Sequence, residues 1–457
     1  MNYPVWVVPF IGSGWVIGSI AIFHIMISHF AVGGGFYLPM AERKAMREGR
    51  EDWMQVIRGH SRFFLILTGV FGAISGVGIW FSIGLASPES TSALIHNFVF
   101  GWAMEWCFFI VEIATAMVYY YTWNRIPAEQ HLRLGWLYAG TSYCTLVIIN
   151  GILTFMLTPG ASWLAVAGTG QEPGRFWQAF FNPTYWPSLA LRTLVCLALA
   201  GVWAMITASR LDGFANPKLK TEVIRWSMRW MVPAFVLIPF GLAWYFSSIP
   251  ESSRHIIEQG MSTIGPGMFT QVTRALLVTI MTSATILAVV YFFAWQNPRD
   301  FGFGHAAAVL FLALAATGST EHAREMIRKP YTIGQYMFSN GMRRSQVAAF
   351  NASGYSVNSP WQNAGMDRGE LMFRGQCMNC HTLDGYRGIR RLMAGRDRKS
   401  IQNIVTMLHD PSATSPYRTF MPVLSGTPAE IDDLVGYLDR LVNHPAAAPP
   451  QLARGKQ

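Results

Sequence analysis

"GWAMEWCFFIVEIATAMVYYYTW", Gly101 to Trp123, is a run of 23 residues with only two charges, Glu105 and Glu112. About 20 apolar residues cross the hydrocarbon core of a bilayer as a helix, so this run is long enough to span one. Both carboxylates would then lie inside the membrane, where ionisable groups are costly and mark functional positions by default. They are seven residues apart, nearly two helical turns, and so share a face. The plainer reading is that such groups pair with others and tie helices together.

The rest of the chain is of the same kind. Of 457 residues only 13% are charged against 51% hydrophobic, with 17 Trp and 30 Phe; an average soluble domain has about a quarter charged. Further apolar runs lie at about 15–40, 63–85, 135–158, 187–208, 230–248, 267–295 and 303–327, giving eight predicted spans with the one at 98–123. The first is expected to direct insertion itself, without a cleavable signal peptide. The expected fold is all-α: a polytopic transmembrane helix bundle followed by a C-terminal soluble domain.

The net charge of +10 is explained by where the cations sit. The first connection carries Arg43, Lys44, Arg47, Arg50, Arg58 and Arg62. The third carries Arg125 and Arg133, the fifth Arg210, Lys218, Lys220, Arg225 and Arg229, and the seventh Arg299. The even connections hold little beyond Arg175 and Arg254. Lys and Arg favour the cytoplasmic side, so the odd connections are cytoplasmic and the N-terminus is outside. This charge is membrane topology and not a nucleic-acid surface. An even number of crossings returns the chain to the outside, making everything after about Arg328 periplasmic.

That periplasmic tail holds "RGQCMNCHTLDG", Arg374 to Gly385. Cys-x-x-Cys-His is the attachment signature of a c-type haem: Cys377 and Cys380 would bond its vinyl groups and His381 would lie under the iron. Covalent attachment occurs on the periplasmic side, so motif and topology agree. A zinc or disulfide role for the two cysteines is the plainer alternative. Cys107, Cys144 and Cys196 lie singly in apolar runs and read as buried thiols. "TFMPVLSG" offers Met421 as the second axial ligand, with Met407 as its competitor; imidazole and thioether together give an electron-transfer haem of raised potential. "TPAEIDDLVGYLDRLV" is an amphipathic helix that Thr427 can cap. Residues 366–442 resemble class I cytochrome c, with Cys-x-x-Cys-His, Met-Pro and closing helix in order. The reading divides the chain into a membrane domain at 1–330, a polar linker at 331–365, a cytochrome c domain at 366–445 and a disordered tail at 446–457.

Other ionisable groups fall within predicted spans: His24 and His29 in "AIFHIMISHFAVGGGF", Arg192 in the fifth, Arg274 in the seventh, and Glu321, Arg324, Glu325 and Arg328 at the end of the eighth. The ordered set "FHIMISHFAVGGGFYLPMAE", "FGAISGVGIWFSIG", "EWCFFIVEIATAMVYYYTWNRI", "FNPTYWPSLALRT" and "EMIRKPY" resembles the haem-bearing subunit of cytochrome bd oxidases over about residues 10–335. In that family a first-helix histidine precedes a glycine by nine residues and a glutamate by eighteen, as His24, Gly33 and Glu42 do here. The family's Glu-x-x-Arg-x-Pro-aromatic is met by Glu325, Arg328, Pro330 and Tyr331. The resemblance implies that His24 and Glu325 are ligands of two high-spin haems, of b or d type. It implies that Glu112 and Glu105 line the haem pocket and supply protons, although the family's spacing is eight where this chain has seven. His29 replaces a residue that is not a ligand, and reads as packing or as support behind the haem.

The chain also departs from the family. Where a fifth-helix histidine and a seventh-helix methionine hold a low-spin haem, it has Arg192 and Leu276. Arginine stays protonated and leucine has no donor atom, so that haem is expected to be missing unless His255 substitutes. The quinol-binding loop is cut to "SIPESSRHIIEQGMSTIG" and the ninth helix is replaced by the tail domain. The c haem is therefore expected to take over electron input from quinol, while Arg192 and Arg274 pair with haem propionates.

The function implied is a cytochrome c-dependent, bd-like oxygen reductase taking electrons from a periplasmic donor, with membrane lipid and a second membrane subunit as partners. Reduction of nitric oxide or another small oxidant is an alternative with the same wiring. A membrane electron-transfer subunit without catalysis is a third reading, favoured if the protein binds neither CO nor cyanide.

Overall fold

The computed structural model describes residues 6–254, 271–327, 332–358, 365–410 and 421–444. Eight helices among them are long and apolar enough to cross a membrane. They are α1 (Ser13–Glu48), α2 (Glu51–Ala86), α3 (Val99–Tyr121), α4 (Ala128–Phe155), α5 (Tyr185–Ala208), α6 (Pro217–Ser247), α7 (Val272–Gln296) and α8 (Phe303–Ile327). No strand occurs among the described residues; Met337 and Arg343 form an isolated bridge.

Four helices run past the apolar stretches that predict them. α1 continues to Glu48 rather than stopping near residue 40, and α2, α4 and α6 begin at Glu51, Ala128 and Pro217 rather than near 63, 135 and 230. Each extension adjoins a basic odd-numbered connection. In α2 the added turns are amphipathic, burying Trp53, Ile57, His60 and Ser61. A count of apolar runs stops where one face turns polar, whereas the helix needs only its buried stripe.

Two compact units divide the chain. The larger comprises Gly18–Phe81 and Ser92–Arg328. Within it α3 packs on α4, α5 on α6 and α7 on α8. The triple glycine of α1 lets that helix touch three others. A Cβ on Gly33 would lie 1.9 Å from the Cys196 carbonyl oxygen of α5. On Gly34 it would meet Phe64 of α2 at 2.6 Å, and on Gly35 Tyr138 of α4 at 2.6 Å. Small residues at membrane helix crossings permit this approach. The outer faces show large apolar side chains, among them Val77, Phe81, Phe100, Phe240 and Phe311, as contact with lipid tails requires.

The second unit comprises Met1–Ile17, Ser82–Thr91 and Lys329–Gln457. Its helices are α9 (Val347–Ser353), α10 (Arg368–Gln376), α11 (Arg398–His409) and α12 (Pro428–Asn443). α10 crosses α12 at Gly369, where a Cβ would lie 2.2 Å from the Asp433 carbonyl oxygen. Phe373, Ile401, Val405, Leu434 and Val435 form the core between α10, α11 and α12. Thr427 caps α12, and Glu430 closes the capping box.

The boundaries differ from those expected. The stretch 331–365 is not a bare linker: Met342, Phe350 and Tyr355 enter the tail core. The N-terminal segment also belongs to this unit. Phe10 accepts a hydrogen bond from Tyr386 N at 2.5 Å, and Trp15 meets the Tyr386 ring edge-on at 5.6 Å. Arg343 reaches Glu89 at 3.5 Å. A polar stretch reads as a linker when its few apolar residues are too sparse to show a period. The expected disordered tail at 446–457 lies outside the described residues.

Candidate functional site

α1 and α2 meet at His24. Its Nδ1 lies 3.0 Å from Ser75 Oγ. The Ser75 hydroxyl donates to the carbonyls of Phe71 and Gly72, at 2.6 and 3.0 Å. Its oxygen therefore accepts from His24, and Nδ1 carries the proton. Nε2 keeps its lone pair, the state an iron ligand needs. Phe71 and Gly72 close a π-helical segment, Leu67–Gly72, a widened turn that recurs at functional sites. His29 is buried and bonds the Ile25 carbonyl at 3.1 Å, a contact within its own helix.

On α3, Glu112 Oε1 accepts from the Tyr138 hydroxyl of α4 at 2.9 Å; the same hydroxyl lies 3.2 Å from the Ala31 carbonyl of α1. Glu105 is half-buried one heptad earlier on that face. Nearer the start of α4 is a second buried cluster. Glu42 is 1% exposed; its Oε2 accepts from the Tyr119 hydroxyl at 2.7 Å, and its Oε1 lies 2.7 Å from His131 Nδ1.

Arg192 of α5 donates from Nε to Ser188 Oγ at 3.4 Å, and Ser188 donates to Asn150 Oδ1 at 2.8 Å. Its charge lies within reach of Glu321 and Arg324, which form an ion pair on α8. Arg274 is exposed on α7. Leu276 packs with Val272, Ala275 and Ala323, an apolar contact with no donor for iron. Glu325 is in α8, with its side chain outside the described residues; Arg328, Pro330, Tyr331 and His255 lie outside them altogether.

In the tail, α10 runs into Cys377, and the backbone then turns tightly. Cys380 N and His381 N both donate to the Cys377 carbonyl at 3.0 Å. Two thiols and an imidazole thereby project from one turn. His381 Nδ1 lies 2.9 Å from the Arg387 carbonyl, an oxygen that only accepts, so Nδ1 carries the proton. Burial, with the Cys380 thiol beside it, pushes the Cys377 thiol up to about 12. Met421 is half-buried ahead of α12, and Met407 half-buried on α11. No group of three or more His, Cys, Asp or Glu that could hold a metal ion occurs among the described residues.

These donor types fit haem: at both His24 and His381 it is Nδ1 that the protein ties, at 3.0 and 2.9 Å, as in histidine ligands held from behind. The sequence reading did not find Ser75, Tyr119, His131 or Tyr138. Serine and tyrosine in apolar runs give no periodic signal, and Glu42 stood out only by its spacing from His24.

Residues 13–245 match the family described as cytochrome bd terminal oxidase subunit I. Among solved structures, the bd oxidase from Geobacillus thermodenitrificans is similar in fold, with 14% identity and a TM-score of 0.59 over 74% of this chain and 92% of that one. No curated protein matches the chain. The family match takes in α1 to α5 and most of α6, including the His24, Glu105 and Glu112 positions, and on it the chain belongs to the cytochrome bd terminal oxidase subunit I family.

Proposed function

We propose that this chain is the catalytic subunit of a terminal oxygen reductase that takes electrons from a periplasmic cytochrome c or similar donor. Membership of the family makes it a haem-bearing membrane oxidoreductase of respiratory electron transport. The finer reading rests on one observation above others: the Cys377–Cys380–His381 turn, with His381 Nδ1 tied to the Arg387 carbonyl, on the same chain as the bd-type helices. When bound, a covalent c haem and two high-spin haems of b or d type supply the redox chemistry, from accepting electrons to reducing oxygen.

The chain's own residues do the rest. Cys377 and Cys380 attach the c haem, and His381 and Met421 supply axial donors. His24, held by Ser75, and Glu325 are the proposed ligands in the membrane. Glu112, hydrogen-bonded to Tyr138, holds protons at the pocket, with Glu105 beside it on α3. Arg192, Arg274 and Arg328 offer cations to haem propionates. Arg192 and Leu276 stand where a low-spin haem would need donors, which supports a chain without that haem and without a quinol site.

Location in a bacterial inner membrane, with the N-terminus and tail periplasmic, follows from the basic odd connections. Two features of the second unit support it: it gathers residues 1–17, up to and including the first turn of the first span, and 82–91, at the end of the second. Membrane lipid and a second membrane subunit are further proposed partners.

The test is a haem count by pyridine haemochromogen on the purified protein, with a CO-difference spectrum of the reduced form. One c haem, two b- or d-type haems and a CO-binding centre are expected, with oxygen uptake from reduced cytochrome c. A lone c haem that binds no CO overturns the oxidase reading in favour of a membrane electron carrier. Uptake of nitric oxide but not oxygen would make nitric oxide the substrate.

A further inference from the structure

His381 and Met421, the proposed donors to a c haem, come from segments 40 residues apart. Residues that support a ligand decide how firmly it stays on its metal. Around Met421, residues 421–426 form no helix before Thr427 caps α12, so their position depends on hydrogen bonds from neighbouring segments. Leu424 N donates to the Leu408 carbonyl of α11 at 3.0 Å, and Gly426 N to Asn351 Oδ1 of α9 at 3.0 Å. Between them, Ser425 is paired with Gln376. Gln376 Nε2 donates to the Ser425 carbonyl at 2.7 Å, and Ser425 N donates to Gln376 Oε1 at 2.9 Å.

Both residues are buried, at 5% and 0% exposed. A buried backbone N–H and C=O each need a partner, and this one amide supplies both. Turning the amide over would set N–H against N–H and oxygen against oxygen, so it has a single orientation. Gln376 is also the last residue of α10 and the one before Cys377. Its own backbone is fixed. A Cβ on Gly375 would lie 2.2 Å from the Tyr355 hydroxyl oxygen, so α10 ends hard against that ring. Asn340 Nδ2 reaches the Gln376 carbonyl at 3.5 Å, and Asn379 Nδ2 donates to the Asn340 carbonyl at 2.7 Å. Asn340 thereby ties residues 376 and 379, which precede the two cysteines.

We propose that Gln376 is the positioning residue for the second axial donor of the tail: it locks the Met421 segment onto the turn that carries Cys377, Cys380 and His381. The proposal rests on the reading of a c haem with His381 and Met421 as donors, and adds the residue that holds the two segments together. Gln376 acts through Ser425, four residues along the chain from Met421. The bonds from Leu408 and Asn351 hold the same segment to α11 and α9, whereas the Gln376 amide joins it to the residue beside Cys377. Without that amide the thioether is free to leave the iron while the rest of the tail stays folded.

The test uses the full-length, haem-loaded protein, with Gln376→Leu and Gln376→Asn. Leucine removes both hydrogen bonds at similar volume; asparagine keeps the amide on a stem one methylene shorter, which draws it back from Ser425. Both variants are expected to keep the covalent c haem on denaturing gels. Well below their thermal midpoints, the ferric c haem should lose the near-infrared magnetic circular dichroism of methionine ligation. CO binding by the reduced form, read at the c-haem bands, should rise at least about 10-fold over wild type, as for a metal ligand that loses its support. The midpoint potential falls with the thioether. Gln376→Asn reads the same tie if Gln376→Leu fails to mature. Wild-type methionine ligation and CO binding in both variants overturn the positioning role alone. A gain in CO binding that appears only as the tail melts also overturns it, in favour of a merely structural tie. A wild-type protein with no c haem, or with no methionine on it, overturns the reading of the tail and the positioning role with it.

Discussion

His24 and Ser75 join α1 to α2 through a hydrogen bond of 3.0 Å between Nδ1 and Oγ, beside a second contact of the ring with the Gly72 backbone, while the Ser75 hydroxyl lies 2.6 Å from the Phe71 carbonyl. Removing the hydroxyl leaves the imidazole held only by the Gly72 backbone and so looser. Loss of such a supporting bond costs about 10–100-fold in ligand affinity at metal sites. In Ser75→Ala the His24-ligated haem is expected to be lost on dilution, with a shifted CO spectrum in what remains. Ser75→Thr restores both, and neither substitution alters the c haem. Haem titration of the purified variants decides it; full retention in Ser75→Ala would remove Ser75 from the site.

The tail offers two methionines for the sixth position of its haem. Met421 precedes α12 and Met407 is on α11, both half-buried. Replacing a thioether ligand opens the iron and lowers its potential. Met421→Ala is expected to let the reduced c haem bind CO and to lower its midpoint, while Met407→Ala leaves both unchanged. The reverse pattern would assign the ligand to Met407. In-gel haem staining of denatured protein should remain in both and vanish in the Cys377→Ala, Cys380→Ala double variant.

What could be read in the sequence was what repeats or has fixed spacing. Eight apolar runs predicted eight spans, and Glu105 and Glu112 were placed on one face by counting. The Cys377–His381 motif stood out because its residues are adjacent. The partners were not legible, since a partner is defined by the approach of two helices. Tyr138 is one tyrosine of 16 until Gly35 brings α1 against it. His131 looks like a polar start to a helix, and only the fold sets it beside Glu42. The helix ends were missed for a related reason: turns with one buried stripe, such as the first four of α2, do not average as apolar.

Gly33 carries the crossing of α1 and α5, because a Cβ there would sit 1.9 Å from the Cys196 carbonyl oxygen. The obstacle is backbone and cannot rotate away. Gly33→Ala should cost at least roughly 1–3 kcal/mol through overpacking, and should displace His24, two and a half turns earlier, from α2. Gly18→Ala is the control, since a Cβ there meets nothing within 4 Å. Thermal midpoints and membrane-haem content should fall in the first variant and hold in the second. Equal behaviour of the two would show that α1 and α5 do not approach so closely.

Glu430 gives the tail a dependence on pH. It is 2% exposed, and burial alone pushes a carboxyl up. The bonds from Ser356, Thr427 and Tyr355 outweigh this and hold it below its ordinary value of 4.5. Oε2 accepts from Tyr355 N and Thr427 N, both at 2.9 Å, and Oε1 from Ser356 N at 2.8 Å and from the Ser356 hydroxyl. A carboxyl depressed in the folded state stabilises fully above its unfolded value and loses that stabilisation as the pH falls through the folded one. Protease resistance of the tail in the full-length protein should therefore hold above about pH 4.5 and decline below it. Glu430→Gln keeps the shape but turns one acceptor into a donor, orphaning buried backbone N–H groups at about 1–3 kcal/mol each. That variant should be less resistant at neutral pH and lose most of the acid slope. An unchanged slope would place the acid-sensitive group elsewhere in the tail.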